Sequence, residues 1–551
     1  MATKQSQFDI LPARRSAADL FFSSSLYRGT LKGRIPKRLL FCPVDVIAGD
    51  AEKADHLFHG NYLLEGLDAR LGGEEPWLAK KMPLYWHLEL HKFGWMKDFA
   101  ANGSDSAKRH ARALVTNWIQ RFDDYHPHIW DGDILSRRLL NWMQQSDFLL
   151  TSNDGDFNYK FIRSIRRQLQ HLKRYVKYFA KKEDKFLFYL ALYVGSACFK
   201  DSQGDAAKFK NNLLEELDKT ILADGCHISR NPSQHMATLL DLVNLRESFR
   251  KQDKTIPEAL IRAIDRLAPA VRFFQHGDGK LALFNGGMAE EDGMPDQILA
   301  LSEAMGRPPL HLPKGGFERL RTGRATIIME TGQGGRPQGA KYHGAGAFEF
   351  SHGRDRIVVN CGSHPDTKSP WAKALGATAA HSTLSYEELN ADFPAPKIAE
   401  NTEDPDITVL EDGGNIWLDF VNHGYEKSAN LGHTRRLYLD SHGTSLRGED
   451  MVSVLGNSNK SHQFTLRFHL HPDLSLSRAM SGRQLLMMTP EGTGWQFISS
   501  LSELTLEESI YCSQPGESRK SQQIVLRGQI HGTDELSVKW AFHQMGTKET
   551  D

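Results

Sequence analysis

The chain has 551 residues, with Lys plus Arg at 68, Asp plus Glu at 68 and a formal net charge of +0. That length calls for more than one hydrophobic core, and the charge balance removes any global electrostatic case for wrapping nucleic acid. Hydrophobic residues make up 40%, and no run approaches the roughly 20 apolar residues that a membrane span requires, so a soluble protein is expected.

Residues 1–54 read as an N-terminal extension. The opening MATKQSQFDILPARRSAADLFFSSSLYRG carries basic residues but no uninterrupted apolar region followed by a small-residue cleavage site. No secretory signal is read, and the sequence alone points to the cytoplasm. Cys42, Cys198, Cys226, Cys361 and Cys512 are scattered and odd in number, without CxxC spacing, which argues against a disulfide framework or a thiolate zinc site.

From 55 to 310 apolar residues recur at helical spacing, as in HARALVTNWIQRF, ILSRRLLNWMQQSDFLL, FIRSIRRQLQHLKRYVKYFA and PEALIRAIDRLAPAVRFF. Short polar loops between them predict packed helical hairpins. Trp86, Trp95, Trp118, Trp130 and Trp142 fall here, where large aromatics fill the gaps between helices; stacking of one on a sugar is the competing reading. The segments FNGGMAEEDGMPDQ and PPLHLPKGG read as a connection, because Gly and Pro cluster there without periodicity.

From 311 to 551 the period changes to two. QFTLRFHLH places Phe464, Leu466, Phe468 and Leu470 on one face and Thr465, Arg467 and His469 on the other. ATIIMETG, RIVVNCG, IWLDFVNHG, GWQFISS and QQIVLRGQI follow the same rule between turn residues, predicting a large antiparallel β domain.

Three histidine-bearing segments stand apart. In DGCHISRNPSQH, residues 224–235, a turn and Pro232 precede a helical pattern; Asn231 reads as a helix cap, while Arg230, Gln234 and His235 form a polar cluster. In KYHGAGAFEF small residues surround Tyr342-His343, and in GATAAHSTLSYEEL His381 follows a run of small residues. His343 and His381 with a carboxylate between them would suit zinc, but the intermediate residue is Asn360, whose amide brings no negative charge. GxSxG, P-loop, HExxH and kinase motifs are absent, and TGQGGRPQG lacks the strand-turn-helix setting of a nucleotide site. Asp131, Asp133 and Glu290 to Asp292 read as solvated acids rather than a glycosidase pair.

In this order, HKFGWMKDF, ILSRRLLNWM, DGCHISRNPSQHMATLLDL, HGAGAFEFSHGRDRIVVNCG, AAHSTLSY, HTRRLYL and RFHLHPD resemble the landmarks of the heparinase II/III family of polysaccharide lyases. The resemblance implies an α+β multidomain fold, an N-terminal (α/α) toroid of helical hairpins followed by a C-terminal antiparallel β-sandwich. It also implies β-elimination at a uronic acid, in which the carboxylate is neutralised, a base takes the C5 proton and an acid protonates O4. Family members mostly work in the cell envelope or outside the cell, and a zinc held by two His and an Asp commonly organises the site.

Carried over by position, the family's Asn-His pair falls near Asp184-Lys185, its Tyr on Gln234 before the retained His235, and its zinc Asp on Asn360, with His381 as the later metal histidine. The first functional reading is a lyase on a uronate-containing glycan: His235, Tyr342 and His343 are catalytic, and Arg230, Asn231 and Gln234 grip the carboxylate. The alternative is a protein that binds an acidic glycan without cutting it, in envelope or capsular polysaccharide handling. No cofactor is expected, with zinc at most weakly held by His381 and Asn360. The partner is an acidic polysaccharide or oligosaccharide in both readings, with no nucleic acid.

Overall fold

The structure is a computed structural model that describes residues 17–150, 154–180, 184–332, 342–387, 389–391, 406–456, 460–478, 484–532 and 534–546. The first part of the N-terminal extension and most of TGQGGRPQG lie outside these residues. The chain divides into two compact units, Met1–Thr220 with Asp241–Arg262, and Ile221–Leu240 with Ala263–Asp551.

The first unit is helical, as the 3.6-residue period requires. Its longer helices are Asp105–Phe122, Gly132–Gln144, Gly155–Tyr178, Phe186–Ala197 and Gln203–Thr220; the last four pack each on the next, and Asp105–Phe122 packs on Gly155–Tyr178. Polar side chains start them: Ser104 Oγ accepts from the Ala107 N–H at 3.1 Å, and Asp154 Oδ1 from the Phe157 N–H at 3.1 Å. Trp86, Trp118, Trp130 and Trp142 are fully buried and Trp95 is nearly so, which makes all five gap-fillers between elements rather than sugar platforms. Arg138, also buried, lies 4.5 Å over the Trp118 ring and donates to Gln168 Oε1 at 2.8 Å. A hairpin of β1 (Asn61–Leu64) and β2 (Leu67–Arg70) completes this unit.

The second unit holds two antiparallel sheets. Its strands begin with β3 (His311–Leu312), β4 (Phe317–Thr322), β5 (Ala325–Glu330), β6 (Phe348–His352), β7 (Asp355–Val359) and β8 (Leu384–Tyr386). They continue with β9 (Ile407–Asp412), β10 (Asn415–Asn422), β11 (Leu431–Leu439), β12 (Ser445–Val454), β13 (Ser461–Leu470) and β14 (Ser475–Arg478). Last come β15 (Gln484–Met488), β16 (Gly494–Ser499), β17 (Leu504–Tyr511), β18 (Arg519–His531) and β19 (Glu535–Gln544). One sheet runs β17-β18-β13-β7-β6-β5-β4-β3 with β8 beside β13; the other runs β14-β15-β16-β19-β12-β11-β10-β9.

Alternating apolar residues of both sheets meet in one core. The Phe348 ring of the first sheet stacks on Trp540 of the second at 5.7 Å, and Phe468 meets Trp540 edge-on at 4.7 Å. Phe464, Leu466, Phe468 and Leu470 are buried as period two predicts. His469, expected on the opposite, open face, is buried too, because Ala379 and Ser509 cover it: Nε2 donates to Ala379 O at 3.0 Å and Nδ1 lies 2.7 Å from Ser509 Oγ. Burial pushes this imidazole down to about 3. In the second sheet, Asp450 binds Arg435 Nε and His433 Nε2, both at 2.8 Å, and takes the Trp540 indole N–H at 2.7 Å. All four side chains are buried, so the charges are satisfied inside the sandwich.

Candidate functional site

The stretch 224–235 lies in the second unit and is fastened at each end. Asp224 Oδ2 accepts from the Lys314 and Gly315 N–H groups at 2.7 and 2.8 Å, and its Oδ1 from the Cys226 N–H at 3.0 Å. Gly225 has φ +86, and a Cβ there would stand 2.1 Å from Arg266 O, so only glycine passes. Asn231 Oδ1 accepts from the Ser233 and Gln234 N–H groups at 2.9 and 3.2 Å, which caps the helix Pro232–Lys251.

Arg230 is turned inward at φ +58. Its Nε donates to Gly315 O at 2.6 Å and its Nη2 to Gly316 O at 3.2 Å, while Nη2 also pairs with Glu330 Oε1 at 3.0 Å. The guanidinium lies 4.9 Å over the Phe317 ring. Glu330 Oε1 further accepts from Asn285 Nδ2 at 3.0 Å, and Asn285 O accepts from Asn231 Nδ2 at 3.1 Å. Arg230, Glu330, Asn285 and Asn231 thus close a ring of polar contacts in which the cation is neutralised by a carboxylate of the same unit.

His235 is fully buried. Nδ1 donates to Asn231 O at 2.7 Å, which leaves Nε2 as the acceptor for the His227 N–H at 2.8 Å. Both ring nitrogens therefore serve the fold, and the imidazole braces the turn against the helix. Gln234, one residue earlier, is exposed.

Tyr342 and His343 are half-buried on the other side of Glu330. The Tyr342 phenol packs on Gly286, where a Cβ would lie 2.9 Å from its oxygen, and its ring meets His381 edge-on at 6.4 Å. His343 Nδ1 donates to Ala391 O at 2.9 Å. His381 Nδ1 donates to Ala377 O at 2.8 Å, so its Nε2 carries the lone pair, and burial lowers its pKa. Gly344 sits between these groups: a Cβ there would stand 2.7 Å from Glu330 Oε2 and 2.8 Å from His381 Cδ2. Glu330 Oε2 itself is buried without a hydrogen-bond partner.

Asn360 does not fit a zinc ligand here. Its Oδ1 accepts from the Ser382 N–H at 3.1 Å and its Nδ2 faces Leu283 O and Glu349 Oε1, both at 3.4 Å, so both ends of the amide are used. Among the described residues no group of three or more His, Cys, Asp or Glu side chains is placed to hold a metal. At Asp184-Lys185, Asp184 Oδ1 accepts from the Phe186 N–H at 3.0 Å and from Thr220 Oγ1 at 3.2 Å, a role in starting a helix.

Residues 304–541 match the family model described as Heparinase II/III-like, C-terminal. A crystal structure of heparinase III superimposes with a TM-score of 0.74 at 14% identity, covering 97% of this chain and 93% of that one. The fold is that of the heparinase II/III lyases. The heparan sulfate lyase HepC of Pedobacter heparinus aligns in the same way, at TM-score 0.59 and 15% identity over 94% of this chain and 87% of its own. A protein of Caulobacter vibrioides (strain NA1000 / CB15N), FtsZ-localized protein C, is 28% identical over 545 residues, 94% of this chain and 92% of the relative.

Within this heparinase-type fold the sequence reading missed Glu330 and Asn285, which decide what Arg230 can do. One signal was present. Glu330 ends ATIIME, a strand buried at every position, and a carboxylate in such a run requires an internal partner.

Proposed function

We propose that this chain uses the lyase fold to bind a glycan of the cell envelope without cleaving it, in the setting of the division apparatus. The observation that carries this reading is the Arg230–Glu330 pair at 3.0 Å. Elimination at a uronate needs the substrate carboxylate neutralised so that the C5 proton becomes acidic. Arg230 spends its charge on Glu330 and its donors on Gly315 and Gly316, and His235 has both nitrogens engaged. Gln234 is exposed and Tyr342 and His343 are half-buried, and their amide, phenol and imidazole groups suit hydroxyl and carboxylate recognition. The relative that aligns over nearly its full length is named for localisation with FtsZ, and this supports the division-site setting.

The test is incubation with alginate, heparan sulfate, hyaluronan and capsular polymers, reading absorbance from a new C4–C5 double bond. Silence, together with retention of one of these polymers on the immobilised protein, is expected. A fluorescent fusion should gather with FtsZ, and an even distribution through the cell would remove the division setting. A second reading, a rearranged lyase with Tyr342 as base and His343 as acid, rests on their half-buried position beside His381. Product formation abolished by Tyr342→Phe and by His343→Ala would establish it in place of the first.

A further inference from the structure

A second cluster of arginines occupies the opposite ends of the same strands. β5 and β6 pair with Ala325 beside His352, whereas Glu330 and Phe348 lie toward the site described above. Five residue steps at about 3.4 Å each put the two ends roughly 17 Å apart. At the Ala325 end a cavity of about 400 Å³ is lined by five arginines, Arg272, Arg319, Arg321, Arg324 and Arg354, with His276.

The guanidiniums come from separate elements brought together by tight turns. Arg272 ends the helix Glu258–Phe273 and donates to Gly306 O at 2.8 Å and Ala304 O at 2.6 Å. Arg319 and Arg321, two residues apart, share one face of β4, and Arg324 and Arg354 follow Gly323 and Gly353 in the β4–β5 and β6–β7 turns. At Gly353, φ +60 favours glycine, and the Arg324 guanidinium packs against this turn, with Nη2 2.2 Å from where a Cβ would stand.

Positive charge here is largely uncompensated. Glu491, 2.7 Å from Arg324, is the one carboxylate in an ion pair with any of the five among the described residues. Arg319 and Arg272 are held by backbone carbonyls, which satisfy donors but leave the charge in place. Arg319 is 6% exposed, and its Nε is buried without a hydrogen-bond partner. Burial, and next the neighbouring Arg321, lower its pKa to about 10. An anion that entered would relieve the repulsion between Arg319 and Arg321.

We infer that this cavity binds a small soluble ligand carrying clustered phosphate charge, with the chemistry of a pyrophosphate or phosphate ester. The exposed forks of Arg321 and Arg354 beside the further positive charges of Arg272, Arg319 and Arg324 around a volume of this size match a compact, multiply charged group better than a single planar carboxylate, which one or two guanidiniums satisfy. The inference stands apart from the proposed glycan binding, since it uses none of the same side chains.

Calorimetric titration of the full chain with sodium pyrophosphate tests it. One site per chain is expected, weakened about tenfold by Arg321→Ala and by Arg354→Ala, both at exposed positions that leave the fold intact. Arg321→Lys, which keeps the charge but loses the fork, should fall between wild type and Arg321→Ala. Absence of binding, or affinity unchanged in both alanine variants, would overturn the inference. Tighter binding of a sulfated disaccharide than of pyrophosphate would overturn the phosphate assignment, as would binding to phosphatidic-acid vesicles without binding of free pyrophosphate.

Discussion

The two ends of β5 and β6 hold arginines in opposite circumstances. At the Glu330 end, Arg230 is paired at 3.0 Å with a carboxylate of its own unit and takes part in a closed polar ring. At the Ala325 end, five arginines line an open volume, and among the described residues one carboxylate, Glu491, forms an ion pair with one of them, Arg324. A desolvated charge that is neutralised internally belongs to the fold, whereas one left unneutralised beside a cavity is available to a ligand. Residue type is the same in both places. The partner decides the role.

The largest effect that would break this comparison is expected at Glu330. Glu330→Ala removes the carboxylate that faces the buried Arg230 and should cost about 3–5 kcal/mol in urea unfolding. Replacing both partners together, Arg230→Met with Glu330→Leu, should recover most of that loss. A cost well under 1 kcal/mol for the single variant would mean that Arg230 reaches solvent and is free for a substrate after all.

Buried imidazoles give the next effect and show how dry the interior is around each unit's polar groups. Burial lowers His469 to about 3 and His171 to about 3. The unfolded chain binds these protons first, near pH ~6.5, so stability is complete above that value. It is lost as pH falls, by about 1.4 kcal/mol per unit for each histidine until its folded value is reached. Unfolding midpoints between about pH 7 and 5 should therefore fall steeply, and His469→Gln should flatten the slope. An unchanged slope would place His469 in contact with water.

Smaller effects should separate capping from charge. Asn231→Ala removes the helix cap and one link of the Arg230 ring, at about 1 kcal/mol. Arg354→Ala, at the open end, should change stability by no more than about 0.5 kcal/mol, because it removes an exposed charge without an ion-pair partner among the described residues. A loss as large as that at Glu330 would make the far cluster structural and abolish the contrast between the two ends.

Much of this was legible in the linear sequence where the determinant is local. Asn231-Pro232 announces a helix start because cap and first turn are adjacent in the chain. QFTLRFHLH announces a half-buried strand because its alternation, apolar at every second position from Phe464 to Leu470, is a property of adjacent residues. The burial of His469 was not legible, since Ala379 and Ser509 are 90 and 40 residues away. Nor was the fate of Arg230: PPLHLPKGG looked like a linker, yet Gly315 and Gly316 supply the carbonyls that hold the guanidinium. The arginine cavity did leave a trace, Thr322-Gly323-Arg324 and His352-Gly353-Arg354, two Gly-Arg hairpin turns whose meeting only the strand pairing reveals.

By itself, the sequence determined the succession of helices and then strands, because periodicity is fixed by which face each residue must bury. It also determined the turns that glycine, asparagine and proline permit. Tertiary structure alone decided which charges are spent and which remain. Arg230 meets Glu330 across 100 positions of chain, and a Coulomb interaction depends on the distance and burial that folding creates, not on separation along the backbone.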